Sequence, residues 1–328
     1  MRHEWKPELD QRGALPVQSS PVRAARRQSV FLQMLSLGAR ISLKRSAVFC
    51  LRFACRPVST IGWISFLEDF GRSQALGRPH DDLLRKSLDV FFIQGIASPL
   101  RLSLMKVHFQ IAAELLRHDD LAALWRGERL DMGSVSGRHE DYNMQMLLAD
   151  DCGCRHEGVF AIKLSRASDD YTLWTASFVF VRLEDGTPSL AVGGMQGPKG
   201  PEAKRSVVSA TRCLGGLRPK DAMLLALHGL VSSANPAHIM AVSNATHVIN
   251  QRRRKRRRMM QADLDGYWIE RGGMAAEPFG FHLPAPSAPQ VDSTIRREQS
   301  KRAFWDIGSR FCRLSSLRAL ARSPLTKA

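Results

Sequence analysis

The sequence predicts an α+β fold, with helices packed on an antiparallel or mixed sheet behind a helical N-terminal region. Three observations predict it. Short apolar runs separated by polar turns fill residues 144–196. Two helical patterns and one further apolar run, Ile239–Val242, follow them. Upstream, residues 31–135 carry the apolar spacing of helices rather than of strands. The expected order is a tail over 1–30, a helical region over 31–135, an α+β core over 136–303, and a C-terminal helix or tail over 304–328.

Taken in order, the first 30 residues are rich in Pro, Gln, Ser and Arg and have little to bury. In Leu104–Leu116, the residues Leu104, Val107, Ile111 and Leu115 fall on one helical stripe. The period then changes. MQMLLAD (144–150), GVFAIKLS (158–165), YTLWTASFVFV (171–181) and SLAVGGMQ (189–196) read as a four-strand antiparallel meander. The third run is apolar on both faces towards its end, so it belongs at the centre of the sheet with helices over it. Asp185-Gly186 marks a hairpin turn.

A crossover follows. PEAKRSVVSATRCLGGL (201–217) reads as a helix that starts with Pro201 at its first position and stops at Gly215-Gly216. A second helix starts at Pro219, buries Met223, Leu227, Leu230 and Val231, and ends before Asn235-Pro236. Residues 239–242 then return to the sheet. LDGYWIERGG (264–273) fits a short aromatic helix closed by glycines, and FHLPAPSAP (281–289) an extended connector. The basic pattern over 293–321 is helical, either continuous or broken at Gly308.

Net charge is 48 basic minus 31 acidic residues, or +17, with a pI near 10.3. That sign selects anionic partners: phospholipid, lipopolysaccharide or nucleic acid. The densest run is Arg252, Arg253, Arg254, Lys255, Arg256, Arg257 and Arg258. It lacks the interleaved aromatics that stack bases, so it fits phosphate contact without sequence readout. Attraction to an anionic bilayer contributes about 1 kcal/mol per basic residue near the surface. Six cysteines are too few for a disulfide scaffold and indicate a reducing compartment. Cys152, Cys154 and His156 have the chemistry of zinc ligands but not a zinc-knuckle spacing, so a strand-connecting turn is expected there and no metal. The longest apolar stretch, Val90–Leu100, is too short to span a bilayer, and no signal peptide is visible. The expected location is the cytoplasm, with peripheral contact at the inner membrane.

Candidate site residues cluster late in the chain. In VGGMQGPKGPEAKRS (192–206), glycines between a strand and a helix either let backbone N–H groups approach a phosphate or serve a bulge and a tight strand exit. Gln196, Gly197, Lys199 and Lys204 are the ligand candidates on the first reading. Arg218 and Lys220, in the turn between the two helices, join them; Arg218 either meets an anion or pairs with Asp221. Asn244 and His247 lie just past the returning strand, where ligands of open sheets collect. Either could serve chemistry, and either could be a cap or a buried polar group.

Together these segments form an ordered set: GGMQG, ATRCLGGLRPKDAMLLAL, AVSNATHV, RRRKRRR, DGYWIERGG, FHLP and IRREQSKRA. The set resembles the VirK/YbjX (DUF535) family of Gram-negative bacteria from about Phe178 to Ala303, and more weakly over Val90–Leu173. After Lys-Arg-Ala the chain departs from the family's second arginine cluster. The resemblance implies an accessory role in envelope integrity, stress response, virulence or tolerance of antimicrobial peptides, with no agreed enzymatic activity. The strand–helix–strand order is also similar to GNAT-type acyltransferases, although here a GLRPK turn and a second helix intervene. Two expectations follow. One is a non-enzymatic accessory protein with a basic anion-binding face. The alternative is an acyl-CoA-dependent transferase acting on an envelope or protein amine, with pyrophosphate held at 196–199 and Asn244 or His247 beside the amine.

Overall fold

Strand alternation and tight turns give the first half of the sheet its register. The computed structural model describes residues 57–86, 90–251, 263–290 and 294–312. The expected tail over 1–30, the run Arg252–Arg258 and residues 313–328 lie outside the described residues. Strands β1 (Leu130–Ser136), β2 (Asp141–Leu148), β3 (Phe160–Arg166), β4 (Thr172–Arg182) and β5 (Pro188–Gln196) form a continuous antiparallel meander. The meander has five strands rather than four. In β1 only Met132 and Val135 are buried, and a bulge between Asp131 and Gly133 breaks their alternation, which hides the strand from a period-two search.

β4 is central, as its two apolar faces predict. Residues 175–181 are all buried whatever their parity, which requires cover on both sides of the sheet. The Asp185-Gly186 hairpin closes with Gly186 at φ +80°, where a side chain would be strained. Helices α1 (Pro57–Ser73), α2 (Asp81–Leu84), α3 (Ser98–Leu115) and α4 (His118–Trp125) precede the sheet. α3 packs on β4 through His108 and Phe109, whose rings meet Phe160 and, for His108, Phe180. His108 is fully buried and accepts the Phe180 N–H at 2.9 Å, and burial pulls its pKa well below the ordinary range.

After β5 come α5 (Ala203–Cys213) and α6 (Pro219–Val231), then β6 (His238–Val242), which runs parallel to β5. Pro201 precedes α5 by two residues instead of starting it, whereas Pro219 does open α6. Asn235, left-handed at φ 55°, ends the turn after α6. α7 (Leu264–Ile269) follows, then β7 (Met274–Ala276) and β8 (Gly280–Pro284). β8 corrects the expected connector: Phe281–Pro284 pairs antiparallel with β6 over its whole length. The sheet order is β1-β2-β3-β4-β5-β6-β8-β7, a mixed eight-stranded sheet with eight helices among the described residues. α8 (Arg296–Arg310) runs unbroken through Gly308 and lies along α6. A Cβ at Gly308 would overlap the Ala226 carbonyl, and one at Gly229 the Trp305 carbonyl, so two glycines let these helices touch backbone to backbone. A single apolar cluster reaches from Trp63 on α1 to Cys312 beyond α8.

Candidate functional site

The parallel pair places the predicted residues. β5 and β6 pair only at Ala191↔Met240 and Val192↔Ala241. Beyond that β5 continues to Gln196 while β6 ends at Val242, so both carboxyl ends open onto one region. Gly193 is the extra residue of a bulge against β4, since Ser177 faces Gly194 and Phe178 faces Val192. The two glycines also admit a side chain that sequence reasoning passed over. A Cβ on Gly193 would overlap the Glu157 carbonyl, and one on Gly194 would overlap the Glu157 carboxylate.

Glu157 joins the strand ends. Its two carboxylate oxygens accept from Gln196 Nε2 at 3.0 and 2.9 Å, and Ser177 Oγ stands 3.5 Å from one of them. His247 Nε2 lies 3.9 Å from the other side of the group. His247 Nδ1 accepts the Ile249 N–H at 3.1 Å, which leaves the proton of the neutral ring on Nε2, facing the carboxylate. Burial draws the His247 pKa down to about 4. The structure therefore brings Gln196 and His247 together, through Glu157. Sequence reasoning fixed on the cysteines and histidine of DCGCRHE, a turn that does connect β2 to β3, and missed the glutamate after them. Paired glycines inside a central strand were the available signal, because they ask what fills their space.

Asn244 is engaged elsewhere. Its backbone N–H donates to Asp265 Oδ1, its Nδ2 donates to Asp263 Oδ1, and its Oδ1 accepts the Leu264 N–H. It thus fastens the β6 end to the first turn of α7, where Asp263 caps the Gly266 N–H. Gly197 lies under Trp174, whose ring a Cβ would approach to 2.8 Å. Lys199 and Lys204 are exposed.

The turn between α5 and α6 docks on α7. Tyr267 is buried between two cations, with Lys220 Nζ 3.4 Å and the Arg271 guanidinium 3.5 Å from its ring centre. Two cations that close to one centroid have room only on opposite faces. Tyr267 Oη donates to Asp221, and Asp221 also holds Arg271. Burial, then the Arg271 charge, pulls the Lys220 pKa down to about 8. Arg218 is exposed, and the expected pairing with Asp221 is not among its contacts.

Two cavities adjoin Arg218. The smaller, about 350 Å³, lies between Trp174, Val207, Lys220, the α7 cap Asp263 and Tyr267. The larger, about 510 Å³, lies between α6, β8 and α8. Arg297 of α8 shares its rim and is exposed. Among the described residues no group of three or more acidic, His or Cys side chains is set to hold a metal. No described helix is long and apolar enough to cross a membrane.

Fold and site together define an α+β protein with half-buried polar groups joining its parallel strand ends and a basic cleft at the adjoining helix turn. The chain belongs to the DUF535 family, described as a protein of unknown function, whose model matches residues 39–305. It is similar to the uncharacterized protein YbjX of Escherichia coli K12, with 22% identity over 260 residues, covering 77% of this chain and 78% of that one. Among solved structures it is similar to a cAMP-binding acyltransferase from Mycobacterium smegmatis, in its E234A mutant, at 11% identity and a TM-score of 0.28. That alignment covers 66% of this chain and 63% of the other.

Proposed function

We propose that this chain is an accessory protein of bacterial envelope maintenance, acting in the cytoplasm by peripheral attachment to anionic lipid. The observation that carries this reading is the pair Arg218 and Arg297. Both are exposed on the rim of one cavity, and neither has a carboxylate partner among the described residues. In a chain of net charge +17, they add to a field that draws the protein towards an anionic surface. Lipid is favoured over nucleic acid because leucines line the same cavity as these cations, and a phosphodiester backbone has no chain to place there.

Cosedimentation of the full chain with vesicles tests the reading. Partition onto phosphatidylglycerol vesicles, little onto phosphatidylcholine vesicles, and no displacement by a short DNA duplex are expected. Equal partition onto both lipids, or complete displacement by the duplex, would overturn it.

A second reading, an acyl-CoA-dependent transferase, draws support from the diverging ends of β5 and β6, with Gln196 and His247 joined through Glu157. The space at Gly193 and Gly194 is taken by Glu157, which leaves Arg218, Lys220 and the smaller cavity to receive a pyrophosphate. A thermal-shift titration with acyl-CoAs separates the readings. Stabilisation that is lost in Lys220→Ala supports the transferase, and none at saturating ligand removes it.

A further inference from the structure

The cations at Arg218 and Arg297 share their cavity with an apolar floor. Leu217, Leu224, Leu225 and Leu283 line the larger cavity, and Leu217, Leu224 and Leu283 are themselves buried. At about 510 Å³ it falls within the roughly 300–1,000 Å³ of pockets that hold small organic ligands. His228 lines it too. That residue is only 4% exposed, its ring stacks beside Trp305, and its Nδ1, itself buried, has no hydrogen-bond partner among the described residues.

The other charges on the rim are already engaged. Asp221 and Glu270 both hold Arg271, and Lys301 holds Glu298. What remains for a ligand is a mouth with two guanidiniums that have no carboxylate partner among the described residues, above a floor of leucines. We infer that this cavity is a binding site for a single-chain anionic lipid, an acyl chain ending in a phosphate monoester. The chain lies over the leucines and the phosphate meets Arg218 and Arg297, whose forked donors match its oxygens. The inference rests on the reading above only for the sign of the head group.

The test is calorimetric titration of the full chain with lysophosphatidic acid below its micelle concentration. Lysophosphatidylcholine of the same chain length and glycerol 3-phosphate serve as the comparison ligands. Saturable binding of lysophosphatidic acid is expected, with the other two at least about tenfold weaker. Arg218→Glu with Arg297→Glu should weaken binding at least about tenfold. Leu225→Trp, which fills the floor, should abolish it. If circular dichroism shows that Leu225→Trp does not fold, the surface charge reversal still decides the matter. Equal affinity for lysophosphatidylcholine, or for glycerol 3-phosphate alone, would overturn the site. So would binding undiminished by the charge reversal. Vesicle partition without monomer binding would overturn this site while leaving peripheral attachment standing, and monomer binding without vesicle partition would support the site alone.

Discussion

The Asp221 carboxylate is held by Arg271, 50 residues further along, and not by the guanidinium of Arg218 three residues before it. That choice fastens the first turn of α6 to α7 beneath Tyr267 and leaves the Arg218 guanidinium at the cavity rim. Arg271→Met should therefore do two things. It leaves Asp221 short of its cation in a half-buried place, costing about 1–3 kcal/mol in urea unfolding. It also releases Asp221 to draw in Arg218, which should weaken partition onto anionic vesicles. Unchanged stability would show that the pair holds nothing together.

The glycines of β5 make a prediction with an internal control. Gly194→Ala meets the Glu157 side chain, whereas Gly193→Ala meets the Glu157 backbone carbonyl. Each should cost about 1–3 kcal/mol, the usual range for overpacking a filled site. Adding Glu157→Ala should recover much of the loss at Gly194 and none at Gly193. A double-mutant cycle by thermal unfolding reads the difference.

Much of this arrangement is visible in the sequence. The meander, the two-helix crossover and the return of Ile239–Val242 follow from period and turn chemistry, both local properties. What was not legible depends on contacts far apart in the chain. Glu157 reaches Gln196 across 39 residues, and nothing near either residue announces the other. Phe281–Pro284 looks like a connector because Pro284, Pro286 and Pro289 are locally strand-breaking, but β6 offers it an edge. Asn244 is ambiguous alone, since capping and chemistry call for the same side chain, and only α7 shows which partner it meets.

Gly308 sets local preference against packing. Alanine in a helix interior gains about 1 kcal/mol over glycine. Here the added methyl would overlap the Ala226 carbonyl of α6. Gly308→Ala is expected to destabilise the chain by about 1–3 kcal/mol in spite of its better propensity. A rise in the unfolding midpoint would mean that α6 and α8 are not in backbone contact.

Acid should weaken the fold through its buried imidazoles. His228 and His247 have pKa values near 4 in the folded chain, against the ordinary 6.5. Between those two values the unfolded chain binds more protons, so stability falls as the pH drops from about 6.5 to about 4. A shift of that size corresponds to on the order of 3 kcal/mol for each residue at full protonation. His228→Gln removes one titration, and its stability-against-pH curve should be flatter than the wild type's over that window.

Attachment through exposed cations is tested most directly by the salt dependence of binding to phosphatidylglycerol vesicles, compared between the wild type and the Arg218→Glu, Arg297→Glu variant. Raising ionic strength from about 0.1 M to about 1 M shortens the screening length from about 10 Å to about 3 Å. Wild-type binding should fall steeply across that range, and the variant should bind more weakly at low salt with a shallower fall. Identical curves for the two proteins, or binding indifferent to salt, would contradict the attachment.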